Sequence, residues 1–370
     1  MQILYLKELT LINFRNYEKL NISFNSNLIL LIGKNAQGKT NILESISMSS
    51  TGRSYRTPRD KELIKWGKGQ SYVKNTVIKR SGTSVIELYL NLQEKKRIKI
   101  NGVQIKRMGE LMGHLNSVVF SPEDLRIIKD GPAERRRFMD MEISQIKPRY
   151  FYNLQQYNKI LLQRNNLLKE INIRPNLKKT LPVWDEQLSH TGAYIINERY
   201  KFVRMLMESA NHIHRDISFG AENLEFFYKS SIKYKDQGVD HIKDNFFEQL
   251  QKNRDFDIMR GTTSSGCHRD DLAFVINDVD IRTFGSQGQQ RSSVLSLKLS
   301  EIEIMHRETG EYPILLLDDV MSELDEYRQE MLLDIIGDVQ TIITSTSLKG
   351  IPKANLDNGQ VFTIQNGGVI

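Results

Sequence analysis

Eight residues, Gly33-Lys34-Asn35-Ala36-Gln37-Gly38-Lys39-Thr40, constrain this chain more than any other stretch. The pattern G-x-x-x-x-G-K-[ST] curls the backbone so that its N–H groups surround the α- and β-phosphates of a nucleotide. The lysine then reaches the β/γ oxygens, and the threonine hydroxyl is left for Mg²⁺. Such a loop needs a strand before it and a helix after it. Leu28-Ile29-Leu30-Leu31-Ile32 reads as a buried strand, and Thr40-Asn41-Ile42-Leu43 opens a helix whose N-terminus, Asn41 included, faces the anion. The sequence therefore predicts binding of a nucleoside triphosphate.

The 370 residues exceed one average domain and suggest two. An apolar content of 39% with 26% charged residues is that of an ordinary globular protein. No apolar run approaches a membrane span, and Met1–Lys7 lacks the basic and small-residue features of a signal peptide. One cysteine, Cys267, leaves no internal disulfide framework and fits a reducing cytoplasm. The net charge of +7 suits a polyanionic partner without identifying one. Lys95-Lys96-Arg97-Lys99 and Arg135-Arg136-Arg137 read as solvated basic faces unless a DNA partner is argued independently.

The texture changes along the chain. Segments 4–14, 20–24, 73–78, 85–92 and 97–100 alternate as strands, and Asn101-Gly102 reads as a type I′ hairpin turn. From Pro132 to Asn253 apolar residues recur at helical spacing, broken by Pro175 and Pro182, with one strand at Leu224–Tyr228. The last third predicts a hairpin about Asn277-Asp278 and an amphipathic helix over Arg291–His306. A buried strand at Ile314–Leu317, a helix over Asp325–Ile336 and a core strand at Thr341–Thr344 follow. The expected fold is α/β: a nucleotide-binding fold in two parts, 1–131 and 255–370, separated by a mostly helical lobe at 132–254.

Ile314–Leu317 ends in Asp318-Asp319. An acid at the C-terminal edge of a buried strand beside the phosphate-loop strand is where Mg²⁺ is held, which fits Asp318. Asp319, facing the other way, suits polarisation of the attacking water. Ser286-Gln287-Gly288-Gln289 lies at the start of the predicted helix, where a hydroxyl, N–H groups and a positive dipole end can meet a phosphate; a simple serine N-cap is the alternative. The adjacent pair Cys267-His268 does not read as a hydrolase dyad, because neighbouring side chains on an extended segment point apart. Arg53, Arg56 and Arg59 face either phosphate, base or solvent.

The Ser286–Gln289 string is similar to the signature motif of ABC-type ATPases, and Ser322-Glu323-Leu324-Asp325 is similar to their D-loop. With Leu11–Arg15, Ser121-Pro122-Glu123-Asp124-Leu125, Gly131–Asp140 and His268-Arg269-Asp270-Asp271-Leu272, the chain resembles the RecF family, bacterial recombination-mediator ATPases related to the SMC proteins. The resemblance implies an ABC-type head that binds ATP and Mg²⁺, dimerises around ATP, hydrolyses it slowly, and binds DNA at single-strand gaps, duplex or junctions. It implies RecR, RecO and RecA as partners in the pathway and no membrane. Carried over, Gly33 to Asn41 hold the nucleotide, Thr40 and Asp318 the metal, and Lys39 and Asp319 serve catalysis. Ser286, Gln287, Gly288 and Gln289 would complete the site of the opposite subunit.

Two positions depart from transporter-type ATPases: Asp319 stands where they carry Glu, and Thr344-Ser345-Thr346 where they carry His. Phe120–Glu123 takes the place of the γ-phosphate-sensing loop without a clear Gln. A small-molecule P-loop kinase would not need the Ser286–Gln289 string, and a transporter subunit would not need the helical lobe. A GTPase would need N-K-x-D, which is absent.

Overall fold

The computed structural model describes residues 4–234, 238–335, 339–348 and 356–370; Met1–Ile3 and Ile336, on which expectations fell, lie outside them. The chain divides into two compact units, Met1–Asp124 with Lys298–Ile370, and Leu125–Leu297. The second is wider than the helical lobe expected at 132–254.

In the first unit the strands are β1 (Tyr5–Phe14), β2 (Tyr17–Ser23) and β3 (Leu28–Ile32), followed by helix α1 (Lys39–Thr51). Then come β4 (Gln70–Lys79), β5 (Gly82–Asn91), β6 (Arg97–Ile100), β7 (Val103–Gln104) and β8 (Ser117–Phe120). The β6–β7 turn is the expected one, with Asn101 and Gly102 both at positive φ (50° and 81°). The antiparallel sheet runs β2-β1-β4-β5-β6-β7. Its strands alternate because one face alone meets the core, through Leu11, Val73, Leu88 and Ile98.

The second unit holds α2 (Arg126–Lys129), α3 (Pro132–Ile146), α4 (Pro148–Ile171), α5 (Leu181–Ile217), β9 (Leu224–Lys229), α6 (Val239–Lys252) and α7 (Arg254–Arg260). β10 (Asp271–Ile276) and β11 (Val279–Asp280) complete it, and α8 (Gln287–Thr309) starts in it. Prolines open α3, α4 and α5, where a missing N–H costs nothing. β10 pairs along its whole length with β9, so the strand belongs with the second unit, which extends to Leu297.

β12 (Ile314–Asp318), α9 (Glu326–Ile335), β13 (Thr341–Ser345), β14 (Gln360–Gln365) and β15 (Gly368–Val369) return to the first unit. They join β3 and β8 in a sheet of order β15-β14-β3-β13-β12-β8, parallel except for β15. Residues Ile314–Asp318 are all buried, as a parallel sheet covered on both sides requires. α1 packs against β8, β12 and β13 on one side and β4 and β5 on the other. Its serines tolerate this because Ser45 and Ser50 donate to carbonyls three residues back, and Ser50 and Ser49 meet Ser117 and Asn75.

Three expectations change. β12 does not neighbour β3: β13 lies between them. α8 is not amphipathic, since every residue from Ser292 to Ile302 is buried. Its Ser292, Ser293 and Ser296 hydroxyls donate to carbonyls four residues back, so polar residues read as an outward face fit inside. Arg135 is not part of a solvated basic face. It is 2% exposed and grips Asp271 through two bonds of 2.6 and 3.0 Å.

Candidate nucleotide site

The phosphate loop runs from the end of β3 to the start of α1 and is clamped from outside. The Tyr17 hydroxyl donates to the Gly38 carbonyl (3.0 Å), and the Asn16 amide donates to the Gln37 carbonyl (2.8 Å). The Asn366 N–H donates to the Gln37 side chain (2.7 Å), and the Gly367 N–H reaches its carbonyl (3.3 Å). Asn41 donates to Asn16 (2.8 Å), tying the helix start to the same clamp. Gly33 and Gly38 have no substitute here. A Cβ on Gly33 would sit 2.3 Å from the Ile364 carbonyl oxygen, and Gly38 has φ +114° with Asn16 2.6 Å from any Cβ. Ala36 adopts positive φ as well (65°).

Lys39 folds over the loop, donating to the Gly33 and Lys34 carbonyls at 2.7 and 3.1 Å. Its ammonium therefore already lies within the loop that the sequence aims at phosphate. Thr40 Oγ1 donates to Asp318 Oδ1 at 2.7 Å, so residues 278 positions apart in sequence converge on one point. Thr344, on the intervening β13, closes the gap between strands: its hydroxyl accepts the Asp319 N–H (2.9 Å) and lies 3.1 Å from Asp318 Oδ1. Asp319 sits in the left-handed region (φ 54°). Burial raises its carboxyl above the usual range, an effect opposed by the nearby Lys39 ammonium and reinforced by Asp318.

The donors suit a small hard cation. A hydroxyl and a carboxylate meet at hydrogen-bonding distance, and Mg²⁺ takes one or two carboxylates together with phosphate oxygens rather than an all-protein cage. Accordingly, no cluster of three or more His, Cys, Asp or Glu ligands is needed, and none occurs among the described residues.

Several neighbours escaped the sequence reading. The Tyr55 hydroxyl donates to Asp318 Oδ2 (3.2 Å). Glu44, wholly buried on α1, takes two bonds from Arg15 (2.9 and 2.7 Å) and one from Arg56 (3.2 Å). Of the three arginines after α1, Arg56 also reaches Asn41 (2.9 Å), Arg59 pairs with Glu62 (3.5 Å), and Arg53 is exposed. The clamp at Asn366-Gly367 did have a signal, an Asn-Gly turn joining β14 and β15.

In the second unit, Ser286–Gln289 opens α8. Gln289 N–H donates to Ser286 Oγ (3.2 Å) and Ser286 N–H to Gln289 Oε1 (2.9 Å), a reciprocal capping box. Ser286, Gln287 and Gly288 are exposed. Gln289 also donates to Glu222 (3.0 Å), whose other oxygen meets the fully buried His214 (2.8 Å). In the segment 320–325, Ser322 donates to the Asp319 carbonyl (2.8 Å) and Asp325 accepts the Arg328 N–H (2.9 Å).

Other motif residues are structural. Arg136 donates to the Asp270 carbonyl (2.7 Å), and Arg199 binds Asp140 (2.8 Å) and the Cys267 carbonyl (2.6 Å). Cys267-His268 lies on a 3₁₀ turn, not an extended segment. Burial raises the Cys267 thiol and lowers the His268 imidazole to about 4. That ring bonds Tyr157 (2.7 Å) and the Thr263 carbonyl (3.1 Å), so no activated thiolate results.

A phosphate loop facing an acid-tipped strand in a mixed α/β core, interrupted by a helical lobe, defines an ABC-type ATPase head. A family model described as RecF/RecN/SMC N terminal domain matches residues 5–367. The chain belongs to the RecF family of DNA replication and repair proteins. It is 48% identical to the DNA replication and repair protein RecF of Alkaliphilus oremlandii over 364 residues, covering 98% of this chain and 99% of the relative. Identity to the Clostridium tetani protein of the same name is 46% over 368 residues, covering 99% and 100%. A solved structure of the recombination mediator protein RecF-ATP in the RecFOR pathway superposes with a TM-score of 0.92 at 40% identity, covering 100% of this chain and 99% of that one. The Smc head domain of Pyrococcus furiosus, at 15% identity, TM-score 0.56 and coverage of 99% and 95%, shares the fold.

Proposed function

We propose that this chain binds ATP with Mg²⁺ in the phosphate-loop half-site, closes into a homodimer around it, and in that state holds DNA. The DNA is a single-strand gap, a duplex or a junction, and the chain acts with RecR and RecO to help RecA load, in the cytoplasm. The observation that carries the nucleotide reading is the 2.7 Å approach of Thr40 to Asp318, enclosed by the clamped loop. The solved RecF-ATP relative supports ATP as the nucleotide.

In this reading the N–H groups of Gly33–Asn41 bind the phosphates and Lys39 leaves its carbonyl partners for the β/γ oxygens. Thr40 and Asp318 would hold Mg²⁺, which neutralises charge on the triphosphate. Asp319 accepts a hydrogen bond from the water that attacks the γ-phosphorus; the bond to the β,γ-bridging oxygen breaks, giving ADP and inorganic phosphate. Turnover is weak, because Asp is one methylene shorter than Glu and misplacement on the order of 1 Å costs ~10²-fold. DNA stimulates it by favouring the closed dimer. Ser286–Gln289 supplies the exposed helix start for the nucleotide of the opposite subunit.

The test is a duplex titration with and without ATP at two salt concentrations. ATP should strengthen binding, and affinity should fall steeply with salt as phosphate counterions are released. DNA affinity indifferent to nucleotide would remove the clamp even if the ATP site stood.

A further inference from the structure

The antiparallel sheet turns a second face away from the core, and one register row crosses four of its strands: Ile12 on β1, Tyr72 on β4, Tyr89 on β5 and Arg97 on β6. The next row runs Thr10, Lys74, Glu87 and Lys99. The Tyr72 and Tyr89 rings lie 4.9 Å apart at 51°, and the Lys99 ammonium is 5.3 Å from the Tyr89 ring centre. Glu87 accepts both tyrosine hydroxyls, at 2.7 and 2.9 Å, which fixes the rings in place.

Beside the rings opens a pocket of about 240 Å³, walled by the amides of Asn13, Gln70 and Asn91 and by Lys95 and Arg97. The loop leading into β4 hangs from the same corner, since the Lys65 N–H donates to the Asn13 carbonyl (2.8 Å). That loop displays Trp66, 97% exposed, between Lys65 and Lys68. Cross-strand aromatic pairing accounts for the Tyr72–Tyr89 contact. It does not account for an open pocket with three amides and two cations in its wall, or for a bare tryptophan beside it.

Ring faces, amides and cations are together what unpaired nucleotides need: stacking for bases, hydrogen bonds for base edges, charge for phosphates. A duplex hides its base faces and cannot use the rings. An apolar protein partner would have no use for the amides and cations set beside the rings.

We propose that this sheet face, from Trp66 across Tyr72 and Tyr89 to Arg97, is a second nucleic-acid site that takes a short single-stranded DNA segment without requiring ATP. The proposal rests on the DNA-repair reading of the chain. It adds to it a strand-specific contact separate from the ATP-gated one.

The experiment is fluorescence anisotropy of a short labelled oligothymidylate with the full chain, without nucleotide. Tyr89→Ala should weaken binding about ten-fold, yet leave binding of an abasic oligomer of equal length unchanged, because only stacking is lost. The paired variant Lys95→Glu/Arg97→Glu leaves the rings untouched and should weaken both oligomers, with the salt slope lowered by about 1.4. ATP-dependent duplex binding should persist in these variants. Unchanged affinity in the Lys95/Arg97 variant, equal loss of both oligomers in Tyr89→Ala, or displacement by polyglutamate as effective as by oligothymidylate would overturn the proposal. Ser286→Arg separates the two readings. Loss of ATP gating there with oligothymidylate binding retained supports both, while retained gating sinks only the clamp.

Discussion

The phosphate loop is held from three directions, by Asn16 and Tyr17, by Asn366 and Gly367, and by its own Lys39. The Ser286–Gln289 turn is held by its own capping box, by Ser292 and Ser293 of the same helix, and through Gln289 by Glu222 with His214 behind it. Apart from Lys39, which turns from the loop carbonyls to the phosphates, a clamped cradle meets its ligand with little reorganisation, so most of its binding energy is available to the nucleotide. The front of this exposed helix start, Ser286 to Gly288, is turned to solvent. The contrast is what the proposed shared site would need: one half that binds, and one that reports whether a second chain has arrived.

The largest effect that could break this contrast is at Lys39. Lys39→Met should lower ATP affinity by ~10²-fold or more and abolish turnover, since it removes the ammonium aimed at the β/γ oxygens. Nucleotide titration by fluorescence decides; wild-type affinity would mean the cradle binds something else.

Ser286→Arg should instead leave monomer ATP affinity within about two-fold while blocking the ATP-induced dimer, because the side chain fills the exposed turn. Sedimentation with ATP and Mg²⁺ reads it, and full dimerisation would make the turn a plain helix cap. The smallest effect tests the anchor. Glu222→Ala removes the contacts to both Gln289 and His214; the loss at Gln289, worth about 1 kcal/mol, should weaken ATP-induced dimerisation about five-fold with monomer ATP affinity unchanged. An effect equal in both measurements would assign Glu222 to general stability.

The two halves also differed in how much the sequence disclosed. The phosphate loop was readable with its strand and helix because all three are contiguous between Leu28 and Thr51. Its clamp was not, since Asn366 lies 329 residues from the Gln37 it meets. Asp318 was singled out by its position after a buried strand, yet the insertion of β13 beside β3 was invisible because strand order is a property of pairing. Composition misled at Arg135, whose charge implied solvent but whose partner Asp271 is 136 residues away. It misled again at α8, where back-bonded serines passed for a polar face.

The most direct test of a shared site mixes two inactive variants, Lys39→Met and Ser286→Arg, and measures ATP turnover across mixing ratios. A mixed dimer contains one composite site in which an intact phosphate loop, from the Ser286→Arg chain, faces an intact turn, from the Lys39→Met chain. Turnover should therefore reappear on mixing and be greatest near equal amounts. If every ratio stays as inactive as the separate variants, while each remains folded and Ser286→Arg still binds ATP, the site is not completed by a second chain.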